Sequence, residues 1–597
     1  MRLEEYWGVG PKTRARLVDE LGAERASSAI ERGDVRALTD AGLPRGRATH
    51  ILRRATGGAG METLATADAR EAYKDVLDVV AEHALTDRAA DRIRVLTPLT
   101  SREAMESRLD DVFVARSVWT ELDGDDRTAV RDAYDRYDGR DETEQAAVET
   151  ALELDETGID TGPFEPLDEL DRETLSDAAD ALGAVDDGRI RSGTDDELDR
   201  LREALERIEA MDAGAQAIVE DLRDGGAHDV DGFRDAFEDR LLEATGLTID
   251  RVRAAMPREA TDARGFVSET VRSLRVALQS EIDEREQSVA DELDETIDAA
   301  RDAVDTAVET VDEIALQLSL ARFADAYDCT RPTFAAADSP AVSVVDARNL
   351  RLAAGSEGAV QPITYALGDH DVESGPDTAG TPGDERVAVL TGANSGGKTT
   401  LLETLCQVVV LASMGLPVPA DSAEVTPVDA LVFHRRHASF NAGVLESTLK
   451  SIVPPLADGG RTLMLVDEFE AITEPGSAAD LLLGLVTLTV DRDALGVFVT
   501  HLAEDLDPLP DSARVDGIFA EGLDPELELR VDYQPRFDTL GRSTPEFIVS
   551  RLVANAVDRT ERTGFETLAE AVGREVVQRT LADAKWTDGT AAGEPGE

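Results

Sequence analysis

The chain has 597 residues, enough for three or four domains, and its apolar content of 42% is sufficient for buried cores. Its formal net charge is −63, and only 5 residues are Lys. Acidic residues spread along the whole chain indicate adaptation to multimolar salt, while recurring apolar residues argue against the alternative, a disordered acidic protein. No apolar run approaches the roughly 20 residues of a membrane span, and no signal-peptide pattern opens the chain, so we expect a cytoplasmic protein.

The two cysteines, Cys329 and Cys406, are far apart in the sequence and have apolar neighbours. This pattern is typical of buried structural thiols. It predicts neither a disulfide framework nor a zinc site.

Residues 1–57 have a local charge of +3, from 11 Lys or Arg against 8 Asp or Glu, whereas the rest of the chain carries −66. Gly8-Val9-Gly10 leads into a helical pattern, and Gly42-Leu43-Pro44-Arg45-Gly46 repeats that layout. The pair resembles a tandem helix-hairpin-helix module, whose hairpin N–H groups hold DNA phosphates without reading sequence. The resemblance implies DNA contacts at Gly8, Gly10, Lys12, Gly42 and Gly46. The alternative is a small protein-docking module in which glycine only ends helices.

Residues 61 to 327 are predicted to be mostly helical. Gly57 to Gly60, GGAG, is predicted to be a linker, and Ser101 is predicted to cap a helix. Residues 121–260 predict short acidic helices with breaks at 155–166, 183–193 and 223–232. Residues 267–327 contain no Pro or Gly and predict one helix which, if continuous, is about 90 Å long. Its apolar stripe is sparse in the middle, which favours an arm that is solvated there and buried where it returns to the core.

From residue 330 the pattern changes to short strands, at AVSVVDARNLRLAAG, QPITYALG and VAVL. The last strand leads into TGANSGGKTT, residues 391–400, which opens a helix. Glycines at this spacing let backbone N–H groups surround a phosphate, while Lys398 reaches the β- and γ-phosphates and the Thr399 hydroxyl binds Mg²⁺. We therefore predict that ATP is bound by Gly392, Ala393, Asn394, Ser395, Gly396, Gly397, Lys398, Thr399 and Thr400.

Two later strands also end in chemically active residues. The strand Thr462 to Val466 ends in Asp467-Glu468, and the strand Leu495 to Val499 ends in Thr500-His501. A carboxylate at a strand tip can hold Mg²⁺, so Asp467 joins Thr399 as a predicted metal residue. The next carboxylate, Glu468, can orient or deprotonate the attacking water, and a His at the third tip can sense the γ-phosphate. Lys398, Glu468 and His501 are the predicted catalytic residues, with a solvated turn and a structural His as the alternatives.

Three strand-end motifs in this order resemble the ABC-type ATPases, and among them the MutS family. TGANSGGKTTLLETL resembles that family's T-G-P-N-x-G-G-K-[ST] with Ala393 in place of Pro. VDEFEAITEP resembles its D-E-x-x-x-x-T-x-P run, and VTHLAEDL its T-H switch. The branch resembled lacks the mismatch-reading domain and acts on branched DNA or stalled ribosomes. The small nuclease domain common in that branch is not recognisable, so no nuclease activity is expected.

In that family two subunits enclose two ATP molecules, so the resemblance implies a homodimer. It also implies that Thr473 and Glu474 cross to the other subunit. The signature element that faces the partner's γ-phosphate is either Asn441-Ala442-Gly443 or Ser447-Thr448, which makes Gly443 and Ser447 the candidates. Asn349 stands where the family often has His, which puts adenine contacts there in doubt.

The predicted fold is multidomain, with an α-helical N-terminal module, an all-α core and lever with a long helical arm, and an α/β ABC-type P-loop ATPase domain. The predicted boundaries are 1–57 for the hairpin module, 61–165 for the first part of the core and 166–315 for the lever. Residues 316–380 return to the core and lead into the ATPase domain at 381–557, and 558–597 form a helix and a disordered tail.

These observations predict an ATP- and Mg²⁺-dependent, DNA-stimulated ATPase of halophilic archaeal type. It would act as a homodimeric clamp on branched or damaged DNA in repair or recombination, without sequence specificity and without a membrane partner. Two alternatives stay open: a ribosome- or RNA-associated ATPase, and a structural clamp that binds ATP with little turnover. A chromosome-maintenance ATPase fits less well, because its arms would separate the phosphate loop from the Asp-Glu pair.

Overall fold

The computed structural model describes residue 3 and residues 6–186, 188–336, 338–355, 360–371, 381–392, 397–436, 442–472, 475–524, 527, 529–541 and 545–586. The chain divides into two compact units. The first contains residues 1–135, 161–163 and 312–597, and the second contains residues 136–160 and 164–311. The second unit thus begins about 30 residues before the predicted start of the lever at 166.

The N-terminal module contains α1 (Pro11–Glu20), α2 (Ala23–Arg32), α3 (Val35–Asp40) and α4 (Arg45–Glu62). Its helices enclose a small core of their own, which includes Leu17, Ile30 and Leu38. The turns before α1 and α4 share one geometry: Gly8 and Gly42 have φ of +81° and +80°, and the residues that follow them, Val9 and Leu43, are buried.

The predicted linker at Gly57–Gly60 is wrong, because α4 continues through it to Glu62 with a kink at Gly57. A Cβ on Gly57 would lie 1.8 Å from Thr97 Oγ1, and one on Gly60 would lie 1.7 Å from the Pro98 carbonyl oxygen. These glycines therefore allow the helix to pass close to residues 97–98. Close packing, rather than flexibility, explains the glycine-rich sequence.

Four more helices follow: α5 (Ala67–Ala81), α6 (Asp87–Arg94), α7 (Arg102–Glu121) and α8 (Gly124–Gly139). Ser101 caps α7 as predicted, with its Oγ accepting a hydrogen bond from Ala104 N at 3.2 Å. The start of α5 is tied to the ATPase domain, since Thr66 Oγ1 donates to the Phe433 carbonyl at 2.6 Å.

The second unit is helical. It contains α9 (Glu144–Glu156), α10 (Arg172–Gly183), α11 (Asp196–Ala213), α12 (Ala215–Asp224), α13 (Val230–Thr245), α14 (Ile249–Ala255) and α15 (Ala263–Ala299). A 3₁₀ turn at Gly162–Glu169 and the antiparallel pair β1 (Val185–Asp186) and β2 (Arg189–Ile190) lie at two predicted breaks. Its core lines α15, with Val271 and Leu274 buried against α11 to α14.

The prediction of one uninterrupted helix over 267–327 is wrong. The helix α15 ends at Ala299, and α16 (Arg301–Ala326) begins after Ala300, whose ψ is 1°. Val289 is the last fully buried residue of α15, so its final turns lack the packing that stabilises helices in proteins. The expected burial at the end of α16 is confirmed, because Leu320 and Phe323 pack into a core. The expected solvated middle is found only at residues 290–299, which include no fully buried side chain, whereas Val304 and Ala307 are buried.

The predicted ATPase region begins with β3 (Thr333–Phe334), β4 (Ala341–Ala347), α17 (Leu350–Gly355), β5 (Ile363–Gly368), β6 (Val387–Gly392), α18 (Lys398–Ser413), β7 (Ser422–Val425) and β8 (Ala430–His434). It continues with α19 (Ala442–Ala457), β9 (Thr462–Asp467), α20 (Pro475–Asp491), β10 (Leu495–Val499), β11 (Ala513–Leu523) and β12 (Leu529–Arg536). Three helices follow: α21 (Pro545–Asn555), α22 (Arg559–Val572) and α23 (Arg574–Trp586).

Two sheets form this region. The larger has the order β12-β11-β6-β10-β9-β8 and is parallel except for β12, and the smaller has the order β3-β7-β4-β5. Because β7 follows the phosphate loop yet pairs with β3 and β4, the strands before residue 381 belong to the same fold as the ATPase. The predicted boundary at 381 is therefore not a boundary of the fold.

The helix α18 is the centre of this region. Nearly all of its residues are buried, and its apolar side chains share one core with α5, the end of α16 and both sheets. Cys329 and Cys406 are free thiols in this core, and burial raises the pKa of both to about 12, so they remain protonated.

Two further predictions need correction. The segment RNLRLAAG was predicted to continue a strand, but it forms α17, because the Asn349 Oδ1 accepts a hydrogen bond from Leu352 N at 3.1 Å and so caps the helix. The C-terminal segment contains two helices, α22 and α23, in place of one, and the predicted tail at 587–597 lies outside the described residues. No described helix is both long and apolar enough to cross a membrane.

Candidate nucleotide site and N-terminal module

The three predicted strand ends meet at one edge of the larger sheet. Leu390 of β6 pairs with Val499 of β10, and Val499 pairs with Asp467 of β9, all in parallel. Backbone hydrogen bonds join the tips, from Thr500 N to the Leu390 carbonyl at 3.1 Å and from Glu468 N to the Val499 carbonyl at 3.0 Å. Parallel strands place their carboxyl ends together, which is where open α/β sheets bind ligands.

The phosphate loop connects β6 to α18. Gly392 has φ of +133° and Gly397 has φ of +76°, which are values that L side chains rarely adopt. Ala393, Asn394, Ser395 and Gly396 lie outside the described residues. Gly397 precedes the first turn of α18, where backbone N–H groups and the helix dipole favour an anion.

Lys398 and Thr399 occupy the first turn of α18. Lys398 is 4% exposed, and its ammonium donates to the Gly392 carbonyl at 2.9 Å. Burial lowers the pKa of Lys398, and the nearby carboxylates of Glu468 and Asp467 oppose that shift. The Thr400 carbonyl has a structural role, because it accepts a hydrogen bond from Thr404 Oγ1 at 2.8 Å.

Thr399 and Asp467 form the predicted metal pair. Thr399 Oγ1 donates to Asp467 Oδ2 at 2.7 Å. The Asp467 side chain is buried, burial raises its pKa, and its Oδ1 accepts no hydrogen bond from any residue that the structure describes. A buried carboxylate oxygen without a donor fits a bound cation or a water of its shell. No group of three or more His, Cys, Asp or Glu in the described ranges is arranged to hold a metal, so Mg²⁺ would depend on these two residues and on phosphate oxygens.

Glu468 has two side-chain partners at the end of β9. Its Oε1 lies 3.2 Å from His501 Nε2, and its Oε2 lies 2.6 Å from Arg436 Nη1. Glu470 fixes the histidine loop by accepting from His501 N at 2.6 Å. The backbone of Glu468 is left-handed, with φ of +42°, which is uncommon for a residue with a side chain and typical of strained functional positions. Sequence reasoning missed Arg436 and Glu470, since neither belongs to a recognisable motif.

Two further side chains, Asn349 and Tyr533, lie beside α18 and the phosphate loop. Asn349 is buried, and both ends of its side-chain amide already form hydrogen bonds: Nδ2 donates to Thr404 Oγ1 at 3.1 Å, and Oδ1 caps α17. The Tyr533 ring on β12 lies against the phosphate loop, so that a Cβ on Gly397 would be 2.6 Å from it. Tyr533 is 40% exposed, so its ring is available to a ligand. It was not predicted, because β12 is distant in sequence and carries no motif.

The structure describes only some of the residues that are predicted to act on the partner subunit. Gly443 lies in the first turn of α19, and Ser447 is exposed one turn later, whereas Thr448 is buried. Thr473 and Glu474 lie outside the described residues.

The predicted DNA-contact residues lie at two matching helix N-termini. Gly10 precedes α1 and Pro44 precedes α4, and neither terminus has a side-chain cap. Lys12 is exposed in the first turn of α1. The placement of Gly46 in a hairpin is wrong, because it is an exposed residue in the first turn of α4, where its N–H still lies at the open terminus.

Two arginines cross between the hairpins. Arg16 of α1 donates to the Gly42 carbonyl at 2.7 Å, and Arg47 of α4 donates to the Gly8 carbonyl at 3.0 Å. This reciprocal exchange holds each glycine turn against the other half of the module. Both arginines were counted only as local charge in the sequence.

Comparisons with known proteins agree with this geometry. Residues 388–480 match the family described as MutS domain V. The chain is 47% identical over 195 residues to the DNA-binding protein MutS2 of Pyrococcus furiosus, which covers 32% of this chain and 34% of that protein. It is 30% identical over 371 residues to the DNA mismatch repair protein MutS 2 of Halobacterium salinarum, covering 57% and 39%. It is 34% identical over 192 residues to the Endonuclease MutS2 of Solidesulfovibrio magneticus, covering 30% and 22%.

The matched part of the chain thus spans 22% to 39% of the length of these relatives. The domain-V match contains the phosphate loop, β8, α19, β9 and the start of α20. Residues 388–480 are therefore similar to domain V of MutS proteins.

Proposed function

We propose that this protein is a DNA-stimulated ATPase of the MutS family that works as a homodimer on branched or damaged DNA. The observation that carries the proposal is the convergence of Lys398, the Thr399–Asp467 pair and the Glu468–His501 pair on one sheet edge, where every residue except His501 lies within the MutS domain V match. The relatives named as DNA-binding and DNA mismatch repair proteins support DNA as the partner.

The residues divide the chemistry among them. Backbone N–H groups at the start of α18 and the Lys398 ammonium bind and orient the phosphates. Thr399 and Asp467 hold Mg²⁺, which when bound neutralises charge on the phosphate oxygens. Glu468 accepts a proton from the attacking water or orients it, and the His501 ring keeps the Glu468 carboxylate in place.

A short stretch of chain connects the N-terminal module to this chemistry. The helix α4 ends at Glu62, and Leu64 then pairs with Leu431 of β8. Two residues beyond β8, Arg436 contacts Glu468. A shift of α4 on binding DNA would therefore act on the strand that leads to Arg436, which supports DNA-dependent turnover.

An exposed apolar surface supports self-association. On the three C-terminal helices, Ile548, Leu568 and Val576 are 54%, 49% and 43% exposed. A second copy of the chain would remove this surface from water, and apolar patches of this kind mark interaction sites. The dimer would also bring the start of α19 of one subunit to the phosphates of the other.

The test is ATP hydrolysis at multimolar KCl, without nucleic acid and with four-way junction, duplex or single-stranded DNA. The wild type is compared with Glu468→Gln and with a chain lacking residues 1–57. We expect junction DNA to increase turnover, the deletion to abolish that increase, and Glu468→Gln to lower turnover by about 10²- to 10⁴-fold while ATP binding persists.

The controls separate the alternatives. Glu446→Gln removes an exposed carboxylate of α19 that pairs with Lys450, and it should leave turnover unchanged. An ATP turnover rate that no DNA changes but that ribosomes or RNA increase would contradict the DNA proposal and favour the translation alternative. Tight ATP binding without turnover under all conditions would favour the structural clamp.

A further inference from the structure

The N-terminal module exposes a tryptophan beside its first hairpin. Trp7 directly precedes Gly8 and is 52% exposed. Among the aromatic side chains that the structure describes, only Trp7 and Tyr533 are exposed, and Tyr533 lies at the nucleotide site. An exposed indole does not gain the free energy of burial, so an indole held at the surface indicates a binding partner.

The Trp7 ring is held in place by one face of α4. The His50 ring meets it edge to face, with centroids 4.6 Å apart, and the Arg54 guanidinium lies 5.4 Å from the indole centroid. His50, Arg54 and Arg47 recur at helical spacing, so they share one stripe of α4. Burial and nearby arginines lower the pKa of His50, so near neutral pH it presents a neutral ring.

This stripe is next to the groups that would hold phosphates. Arg47 is exposed and donates to the carbonyl of Gly8, the residue after Trp7. Residues 41–61 contain no Asp or Glu, in a chain in which 124 of 597 residues are acidic. The α4 side of the indole is therefore complementary to an anion, while the indole itself is complementary to a flat aromatic group.

We propose that Trp7 is a stacking platform for an unpaired nucleobase at a junction between duplex and single strand, while the two hairpins hold the neighbouring phosphates. The proposal rests on the proposed function, because it assumes that this module binds DNA. The stacking proposal goes beyond that function by naming an unstacked base as the feature of branched DNA that is recognised.

The salt in which such an acidic protein folds strengthens the argument. At 1 M salt the Debye length is about 3 Å, so phosphate contacts with exposed cations contribute little affinity. Base–aromatic stacking does not depend on counterion release. A DNA contact that functions at high salt therefore needs an exposed ring more than it needs further Lys or Arg.

The test uses the full-length protein at 2 M KCl, with a forked DNA that has two unpaired arms and a blunt duplex of the same paired sequence. We expect Trp7→Ala to weaken fork binding by roughly 5- to 150-fold, the range for one stacked base, and to change duplex binding by less than about twofold. Trp7→Phe should retain part of the preference. Val18→Ala removes another exposed apolar side chain of the same module and should change neither fork binding nor duplex binding.

Tryptophan emission gives an independent readout. The chain has 3 Trp residues, and Trp7→Phe retains the buried Trp119 as well as Trp586. Forked DNA should therefore quench the wild type more than Trp7→Phe, and the duplex should quench both alike. A Trp7→Ala variant that binds fork and duplex as the wild type does would overturn the stacking proposal and leave the proposed function intact. A wild type that binds neither DNA would overturn both. A Trp7→Ala variant that changes only the oligomeric mass would identify the indole as a protein contact instead.

Discussion

The buried carboxyl of Asp467 costs stability until a cation arrives. Burial raises its pKa above the ordinary value. A carboxyl whose pKa rises on folding binds its proton more tightly in the folded state, so its charged form destabilises the fold above the ordinary pKa. That cost is relieved as the pH falls through the raised pKa. Mg²⁺ can relieve the same cost at neutral pH.

We therefore expect Asp467→Asn to raise the Tm at neutral pH in EDTA, and the difference from the wild type to shrink as the pH is lowered. The same variant should raise the Mg²⁺ concentration needed for half-maximal ATP hydrolysis by about 10- to 100-fold. Thermal melts between neutral and acidic pH, with and without Mg²⁺, measure both effects. Asp458→Asn changes an exposed residue and serves as the control; a lower Tm for Asp467→Asn would contradict the argument.

In the proposed mechanism, the ion pair between Arg436 and Glu468 occupies a carboxylate oxygen that the attacking water would need. Arg436 is 56% exposed, so the pair contributes at most about 1 kcal/mol. Arg436→Ala should accordingly increase basal ATP turnover by up to about fivefold at saturating ATP. Steady-state rates test this, with Arg461→Ala as a control that breaks a surface pair with Asp429. A fall in turnover would instead indicate that Arg436 contacts the phosphates.

At the scale of elements, the strands of the site could be predicted from the sequence, whereas residues and breaks whose positions depend on tertiary packing could not. The strands at 462–467 and 495–499 and the helix after Lys398 were readable, because apolar runs ending in motif residues are local signals. Tyr533 and Arg436 were not, since their positions depend on how β12 and β8 pair with distant strands. The same limit explains the false linker at Gly57–Gly60 and the unpredicted break at Ala300.

The kinked helix α4 can be distinguished from a flexible linker by two matched substitutions. Gly60→Ala would place a methyl group against the Pro98 carbonyl, so we expect a loss of about 1–3 kcal/mol in unfolding free energy and weaker stimulation by DNA. A Cβ on Gly58 meets nothing within 4 Å, and Gly58→Ala should stabilise the helix by up to about 1 kcal/mol. Denaturant titration measures both; equal, small effects would favour a linker.

At the scale of the whole molecule, charge is distributed unevenly in a way that matches the proposed roles. The chain carries −63 overall, yet the phosphate loop with its helix start, residues 386–402, and residues 41–61 include no acid. High salt screens the repulsion among the acidic residues elsewhere. The two chain segments that are proposed to contact phosphate groups thus carry no acidic side chain of their own, and the carboxylates near Lys398 come from Asp467 and Glu468.

The two compact units have separate hydrophobic cores. One consists of residues between 190 and 289, and the other joins residues 61–112 with residues 316–518. Cores that share no side chains can unfold in separate steps. We therefore expect calorimetry at high KCl to resolve at least two transitions.

Substitutions in each core should assign these transitions. Leu274→Ala in α15 and Leu405→Ala in α18 each remove a buried side chain, at a cost of about 2–5 kcal/mol. Leu274→Ala should lower only one transition and leave Mg²⁺-ATP binding intact, because no described nucleotide-site residue belongs to that core. Leu405→Ala should lower the other transition, which should also be the one that ATP raises, since a ligand stabilises the unit that binds it. A single transition that shifts with either substitution would show that the two cores unfold together.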